Sequence, residues 1–258
     1  MRNSTRGSLK FKAVIPARLG STRLPGKVLR LLAGRPLVEH VWDIARASGA
    51  GEVVIATDDR AVLQTCRGFG ADVVMTSARH ASGTDRINEV ARKRRWAPST
   101  IVVNVQGDEP LLPPALIRQA AQLLAQDRGA DIATLCHAIE TPEEWLNPNF
   151  VKVVMDARGR ALYFSRAPIP WNRGASAARN FPKGQAFRHV GLYAYRVSAL
   201  KRFSALKAAP LEKAESLEQL RALANGLVIK VGVARAAPPR GVDTEEDLAE
   251  VERILATK

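Results

Sequence analysis

Apolar runs alternate with amphipathic stretches of helical period through the first half of this 258-residue chain. Strands are predicted at residues 13–15, 52–57, 72–75 and 101–105, and helices at 35–47, 60–67 and from the mid-eighties to about 95. This alternation predicts an α/β fold with a mostly parallel, Rossmann-like sheet flanked by helices. Ligands of such sheets bind at the carboxyl ends of the strands, so the polar segments that follow strands are candidate sites.

The alternation breaks in the second half of the chain. A helix at 112–126 and a strand at 131–139 precede a predicted β-hairpin with strands at 151–155 and 161–165. Further predictions are a strand at 187–196, one helix at 210–225, a strand at 227–234 and a last helix that Thr244 caps with Asp247. We expect a single domain over 10–258 after a disordered basic tail at 1–9. The insert at about 147–186 is expected at the rim or at a dimer contact, with 171–184 mobile.

The formal net charge of +14 favours an anionic partner. The cations are spread along the chain and aromatic residues make up only 5%, so a stacking platform for nucleic acid is not expected. A non-catalytic polyanion-binding protein remains an alternative. No apolar run reaches the roughly 18 residues of a membrane span, so we expect no membrane insertion and a cytoplasmic protein. Cys66 and Cys136 are expected to be buried free thiols.

The loop after the first strand has the residue types that a nucleotide triphosphate requires. It contains Arg18, Gly20, Ser21, Arg23, Gly26 and Lys27. Glycine allows close approach of backbone NH groups to phosphate, and arginine and lysine supply positive charge. The loop is not a P-loop, because five residues separate Gly20 from Gly26 and Val28 replaces the magnesium-binding hydroxyl, which disfavours a kinase. A basic surface loop is the alternative.

Two more polar segments follow predicted strands. Residues 80–86 read HASGTDR, in which Gly83 permits close backbone approach and its polar neighbours offer hydrogen bonds; Ser82 or Thr84 could equally cap the next helix. Asp108 follows the strand at 101–105, where a carboxylate can bind magnesium beside substrate phosphates. A simple turn before Pro110 is the alternative for Asp108.

Candidate residues in the second half are ambiguous on chemistry alone. Arg166 leaves the hairpin and could hold a substrate carboxylate through two parallel hydrogen bonds, or form a surface ion pair. His189 lies in a predicted strand, where packing is the commoner role. Glu215, Glu218 and Gln219 fit a solvated helix face, and Asp243 fits an ordinary turn residue before the last helix.

Six segments together resemble the 3-deoxy-manno-octulosonate (Kdo) cytidylyltransferases, within the nucleotide-diphospho-sugar transferase-like fold. They are ARLGSTRLPGK (17–27), HASGTDR (80–86), VNVQGDEPL (103–111), RHVGLY (188–193), ESLEQLR (215–221) and GVDTEEDL (241–248). The resemblance covers about residues 10–256. Most members of the family are expected to have alanine where this chain has Gly20, a difference that concerns only the local stiffness of the loop.

The resemblance implies transfer of CMP from CTP to Kdo, with Mg²⁺ as cofactor, in lipopolysaccharide biosynthesis by a cytoplasmic homodimer. The implied nucleotide-binding residues are Arg18, Ser21, Arg23, Lys27, Ser82, Gly83, Thr84 and Arg86. Those implied for the sugar acid are Gln106, Arg166, His189, Tyr193, Glu218 and Gln219. Lys27, Arg18, Asp108 and Asp243 are implied as catalytic, with Asp108 and Asp243 as the metal ligands. Another sugar acid, 8-amino-Kdo or sialate, is an alternative substrate.

Overall fold

A computed structural model describes residues 9–20, 24–80, 82–173, 181–236 and 241–256. The predicted tail at 1–9, except for its last residue, lies outside these ranges, as does the middle of the predicted mobile segment at 171–184. Within the described residues, no helix is both long enough and apolar enough to cross a membrane.

The first half of the chain folds as the alternation predicts. Its elements are β1 (Lys12–Pro16), a 3-10 helix (Lys27–Leu29), β2 (Leu31–Leu32), β3 (Arg35–Pro36), α1 (Leu37–Ala47), β4 (Glu52–Thr57), α2 (Arg60–Gly68), β5 (Asp72–Met75), α3 (Gly83–Lys93) and β6 (Ile101–Asn104). Helix α1 begins two residues later than predicted, because Arg35 and Pro36 pair with β2 across a tight turn. Gly34 in that turn has a φ of 77°, a conformation that favours glycine.

The second half contains the predicted hairpin and two helices that periodicity did not indicate. The elements are α4 (Pro114–Gln126), β7 (Ile132–Ala138), α5 (Pro142–Leu146), β8 (Lys152–Met155), β9 (Ala161–Ser165), β10 (Phe187–Arg196), α6 (Val197–Ser204), α7 (Pro210–Glu215), α8 (Gln219–Ala224), β11 (Ile229–Val233) and α9 (Glu245–Ala256). The unpredicted helices are α5 and α6, both of eight residues or fewer. The hairpin of β8 and β9 is confirmed.

The prediction of one helix over 210–225 is wrong. The chain turns at Ser216, whose φ of 53° is left-handed, and this residue ends α7 before α8 begins. The Leu217 amide donates back to the Glu212 carbonyl across the break. Because of this break, the carboxylates of Glu215 and Glu218 point in different directions. Glu215 accepts a hydrogen bond from Ser165, and Glu218 accepts one from Thr84.

The main sheet has the strand order β11-β7-β10-β6-β1-β4-β5. Strand β1 pairs in parallel with β4 and β6, and β4 with β5, whereas β10 lies antiparallel between β6 and β7. A mostly parallel sheet flanked by helices is therefore confirmed. From β1 the chain first adds β4 and β5 on one side of β1, and it then adds β6 on the other side of β1. A crevice at the carboxyl ends of β1 and β6 follows from this reversal.

Apolar side chains cover both faces of the sheet. One cluster includes Ile15, Leu37 and Leu116, and the cluster on the other face includes Val14 and Ile87, all fully buried. Each such side chain contributes about 1.5–3 kcal/mol on removal from water. The strands that carry the polar loops are thus held rigidly.

Cys66 and Cys136 are buried free thiols, as predicted. Burial raises the pKa of each to about 12, with the charge of Glu39 adding to the effect at Cys66. Because the thiolate is the reactive form, both side chains act as small apolar groups.

Candidate nucleotide and metal site

A polar cleft of about 250 Å³ opens at the carboxyl ends of β1 and β6, beside the start of α3. It is lined by seven residues predicted from the sequence: Arg18, Lys27, Ser82, Gly83, Arg86, Gln106 and Asp108. Segments that are far apart in sequence therefore meet at the crevice that the strand order creates. The predicted residues Ser21 and Arg23 lie outside the described residues.

Lys27 connects the two predicted metal ligands at the edge of this cleft. Its Nζ donates to Asp108 Oδ2 at 2.6 Å and to Asp243 Oδ1 at 3.1 Å. Burial by itself would lower the pKa of Lys27, but the charge and hydrogen bonds of Asp108 and Asp243 raise it overall. The ammonium is therefore protonated at neutral pH, and it lies where two carboxylates converge.

Backbone contacts bring Asp243 to this place from the far end of the chain. The Val242 amide donates to the Asp108 carbonyl oxygen at 2.8 Å. The amides of Asp243 and Thr244 donate to Asp247 Oδ2 at 2.9 and 3.0 Å, while the Asp247 amide donates to Thr244 Oγ1 at 3.2 Å. This reciprocal cap of α9, predicted from the sequence, fixes the backbone that presents the Asp243 carboxylate.

The donor set fits a hard divalent cation. Magnesium prefers one or two carboxylates completed by water and substrate oxygens, and the Asp108 and Asp243 carboxylates already meet at one cation, the Lys27 ammonium. The neighbouring carboxyl of Glu109 is less suited to bind a cation, because burial and, second, the charge of Asp108 raise its pKa to about 8. The charge of Arg188 has a smaller, opposite effect on this pKa. Asp108 and Asp243 are therefore the residues suited to hold the ion.

Gly107 shapes the floor of the cleft. A Cβ atom added there would lie 2.8 Å from the Pro16 carbonyl oxygen, which is backbone and cannot move aside cheaply. We expect Gly107→Ala to lower the free energy of unfolding by about 1–3 kcal/mol, measured by urea denaturation. The control is Gly20→Ala, because no atom lies within 4 Å of a Cβ added at Gly20. Equal stabilities of the two variants would contradict the steric assignment.

The residues of the segment at 82–86 make different kinds of contact. Ser82 caps α3 by accepting from the Asp85 amide at 3.2 Å, which decides one of the open alternatives. Arg86 is buried and donates to Asp58 Oδ2 at 2.9 Å and to Thr76, so it joins α3 to the ends of β4 and β5. Thr84 is only 2% exposed and donates to Glu218 Oε2 at 2.9 Å. Ser82, Gly83 and Arg86 line the cleft, whereas Thr84 points to another part of the fold.

Gln106 lines the cleft, but most of the other residues predicted to bind the sugar acid lie outside the cleft lining. Tyr193, Glu218 and Gln219 line a second cavity of about 50 Å³ between β10 and α8. His189 Nε2 is 2.9 Å from Thr134 Oγ1, and burial, with a smaller effect of Arg188, lowers its pKa to about 3. His189 is therefore neutral near pH 7.

Arg166 is held by the backbone and by a carboxylate that periodicity placed in solvent. Its Nε donates to the Glu215 carbonyl oxygen at 2.8 Å, and its amide donates to Glu215 Oε2 at 2.9 Å. Lys152, which is fully buried, donates to the Arg166 carbonyl oxygen at 2.6 Å. Neither Glu215 nor Lys152 was identified as a site residue from the sequence. For Glu215 the available signal was its place at the start of the ESLEQLR segment, and for Lys152 it was a charged residue in the otherwise apolar strand β8.

His80 is a cleft residue that the sequence analysis did not single out. Its Nε2 lies 2.5 Å from Glu89 Oε2, which also accepts from the Ser77 amide at 2.9 Å. The location of His80 at the start of the HASGTDR segment was the available signal.

Comparisons with known proteins agree with this geometry. The Cytidylyltransferase family model matches residues 12–231. A 3-deoxy-manno-octulosonate cytidylyltransferase of Marinobacter nauticus is 56% identical over 96% of this chain and 97% of its own length. The protein of that name from Thioalkalivibrio sulfidiphilus is 53% identical over 96% and 99%.

Solved structures show the same likeness. A CMP:2-keto-3-deoxy-manno-octonic acid synthetase complexed with CTP superposes with a TM-score of 0.87 at 43% identity, covering 97% of this chain and 99% of that one. A cytidylyltransferase from Leptospira borgpetersenii, with a TM-score of 0.63 and 15% identity, shares the fold.

Proposed function

The chain belongs to the 3-deoxy-manno-octulosonate cytidylyltransferase family, and we propose on this basis that it transfers CMP from CTP to the anomeric hydroxyl of Kdo, releasing pyrophosphate. Full-length relatives named for this activity at 53–56% identity support the proposal. The structural observation that carries it is the meeting of Lys27, Asp108 and Asp243 at the mouth of a polar cleft.

The residues of the cleft suit in-line attack on the α-phosphorus of CTP. Both substrates are anions, so the enzyme must neutralise charge and align the two reacting groups. We assign the triphosphate to Arg18 and Lys27, with Ser21 and Arg23 of the same loop as further ligands. Ser82 and Gly83 border the space for the cytidine, and Arg86 stiffens that border. The ammonium of Lys27 stabilises the charge that develops as pyrophosphate leaves.

Asp108 and Asp243 are the proposed magnesium ligands. An ion held by these two carboxylates would supply charge stabilisation at the α-phosphate and would lower the pKa of the attacking hydroxyl. The two carboxylates come from separate loops, one after β6 and one before α9, and the cap of α9 and the contact between Val242 and Asp108 keep them together. Lys27 neutralises the pair and also lines the cleft that we assign to the triphosphate.

For the sugar acid, we propose Gln106 on the cleft side and Tyr193, Glu218 and Gln219 from the small cavity. Arg166 is the proposed partner of the substrate carboxylate. Its Nε and Nη1 already donate to backbone carbonyl oxygens, which fixes the direction of the guanidinium. Neutral His189 packs against Tyr193 with ring centroids 5.2 Å apart and supports that wall of the cavity.

We further propose a cytoplasmic homodimer that supplies CMP-Kdo for lipopolysaccharide. The hairpin supports a dimer contact because Leu162 on β9 is 61% exposed. Light scattering tests the oligomeric state, and Leu162→Lys should then shift the protein toward the monomer.

The activity is tested by pyrophosphate release with CTP, Kdo and Mg²⁺, beside reactions with UTP, ATP or sialate in place of one substrate. We expect release only when CTP and Kdo are both present. Release with a different acid would refute the sugar assignment. Salt-sensitive binding to random DNA without turnover would favour the polyanion-binding alternative instead.

A further inference from the structure

We propose that Thr84 is a positioning residue for the sugar acid, acting through Glu218, and is not a direct ligand of the nucleotide. The proposal rests on the function proposed above. It assigns a different role to a residue whose sequence neighbour Gly83 lines the nucleotide cleft.

The hydroxyl of Thr84 is already fully used inside the fold. A threonine hydroxyl has one proton to donate, and Thr84 donates it to Glu218 Oε2 at 2.9 Å. Thr84 also hydrogen-bonds with Tyr195, a buried residue of β10. At 2% exposure, its side chain has no free donor to offer to a ligand in the cleft.

The bond fixes one oxygen of Glu218 and leaves the other available. Among the described residues, Glu218 Oε1 is buried and has no hydrogen-bond partner. Glu218 also lines the small cavity together with Tyr193 and Gln219. A buried carboxylate oxygen without a partner is costly, and a substrate hydroxyl that donates to it would remove that cost. The sugar acid, which is rich in hydroxyl groups, supplies such donors.

The local backbone explains why this bond sets the direction of the carboxylate. Glu218 follows the break at Ser216 and precedes the first residue of α8, so no preceding helical turn constrains it. Thr84 lies in the first turn of α3, which begins directly beside the cleft. The bond therefore joins the two substrate regions across 134 residues of sequence.

The test compares Thr84→Val, which keeps the shape and loses the hydroxyl, with Thr84→Ser, which keeps the hydroxyl. Pyrophosphate release gives KM for Kdo and for CTP separately. We expect Thr84→Val to raise the KM for Kdo about tenfold, the scale of a lost hydrogen bond to a charged group, with the KM for CTP unchanged. Thr84→Ser should restore the KM for Kdo to within about twofold of wild type.

The double variant Thr84→Val with Glu218→Gln adds a second measurement. If Thr84 acts through Glu218, Thr84→Val should have little further effect on the KM for Kdo once Glu218 is Gln. A raised KM for CTP in Thr84→Val, or equal rises for both substrates, would overturn the proposal. Failure of the proposed function is distinct, because the wild-type enzyme would then show no turnover of CTP with Kdo.

Discussion

Replacing Lys27 by alanine is expected to lower kcat by about 10²–10³, the scale of losing one pre-organised charge stabiliser. The Lys27 ammonium is held between Asp108 and Asp243 at 2.6 and 3.1 Å, and the two carboxylates raise its pKa, so it is a permanent charge at the cleft. The measurement is pyrophosphate release at saturating CTP and Kdo.

A second effect of the same change follows from the geometry. Without the ammonium, the carboxylates of Asp108 and Asp243 lose the cation that they share, so like-charge repulsion between them lowers stability. Mg²⁺ should therefore raise the melting temperature of Lys27→Ala more than that of wild type. Lys12→Ala is the matched control, because Lys12 forms an ion pair with Glu52 at 2.8 Å on the first residue of β1, at the opposite end of that strand from the cleft. An unchanged kcat in folded Lys27→Ala would remove Lys27 from catalysis.

The strands and the cleft were predictable because their signals are local. An apolar run followed by a polar loop is visible in a few residues, and the parallel sheet then brings the loops after β1 and β6 to one edge. Asp108 could be proposed on this ground alone. Asp243 could not, since a carboxylate before a helix is usually a turn residue; only the resemblance to the family assigned it.

The partners of the second half could not be predicted, because they depend on contacts between distant segments. Helical spacing placed Glu215 and Glu218 on a solvated face, yet Glu215 accepts from Ser165 Oγ at 2.6 Å and Glu218 accepts from Thr84. Hydrophobic periodicity depends on neighbouring apolar residues, so it contains no information on hydrogen bonds that join residues 50 and 134 positions apart. The left-handed turn at Ser216 makes both contacts possible. Since no glycine or proline lies beside Ser216, the sequence contains no turn signal there.

Replacing Asp108 by asparagine is expected to have the largest effect on activity. The change keeps size and shape but removes one of the two proposed metal carboxylates, and it removes the ion pair of Lys27 with Asp108 while that with Asp243 remains. We expect kcat to fall by about 10³, corresponding to about 4 kcal/mol of lost transition-state stabilisation. The concentration of Mg²⁺ at half-maximal rate should rise as well.

The rise in the Mg²⁺ requirement separates a metal role from a purely structural one. Asp43→Asn is the matched control, because Asp43 also forms an ion pair, with Arg35 at 2.5 Å, but lies on α1 away from the cleft. It should change neither kcat nor the Mg²⁺ dependence. If Asp108→Asn loses activity with an unchanged Mg²⁺ dependence, Asp108 acts by holding Lys27 and the ion binds elsewhere. Because Asp243 shares the same ammonium, Asp243→Asn should then reproduce the loss, and the double variant should be no slower than either single one.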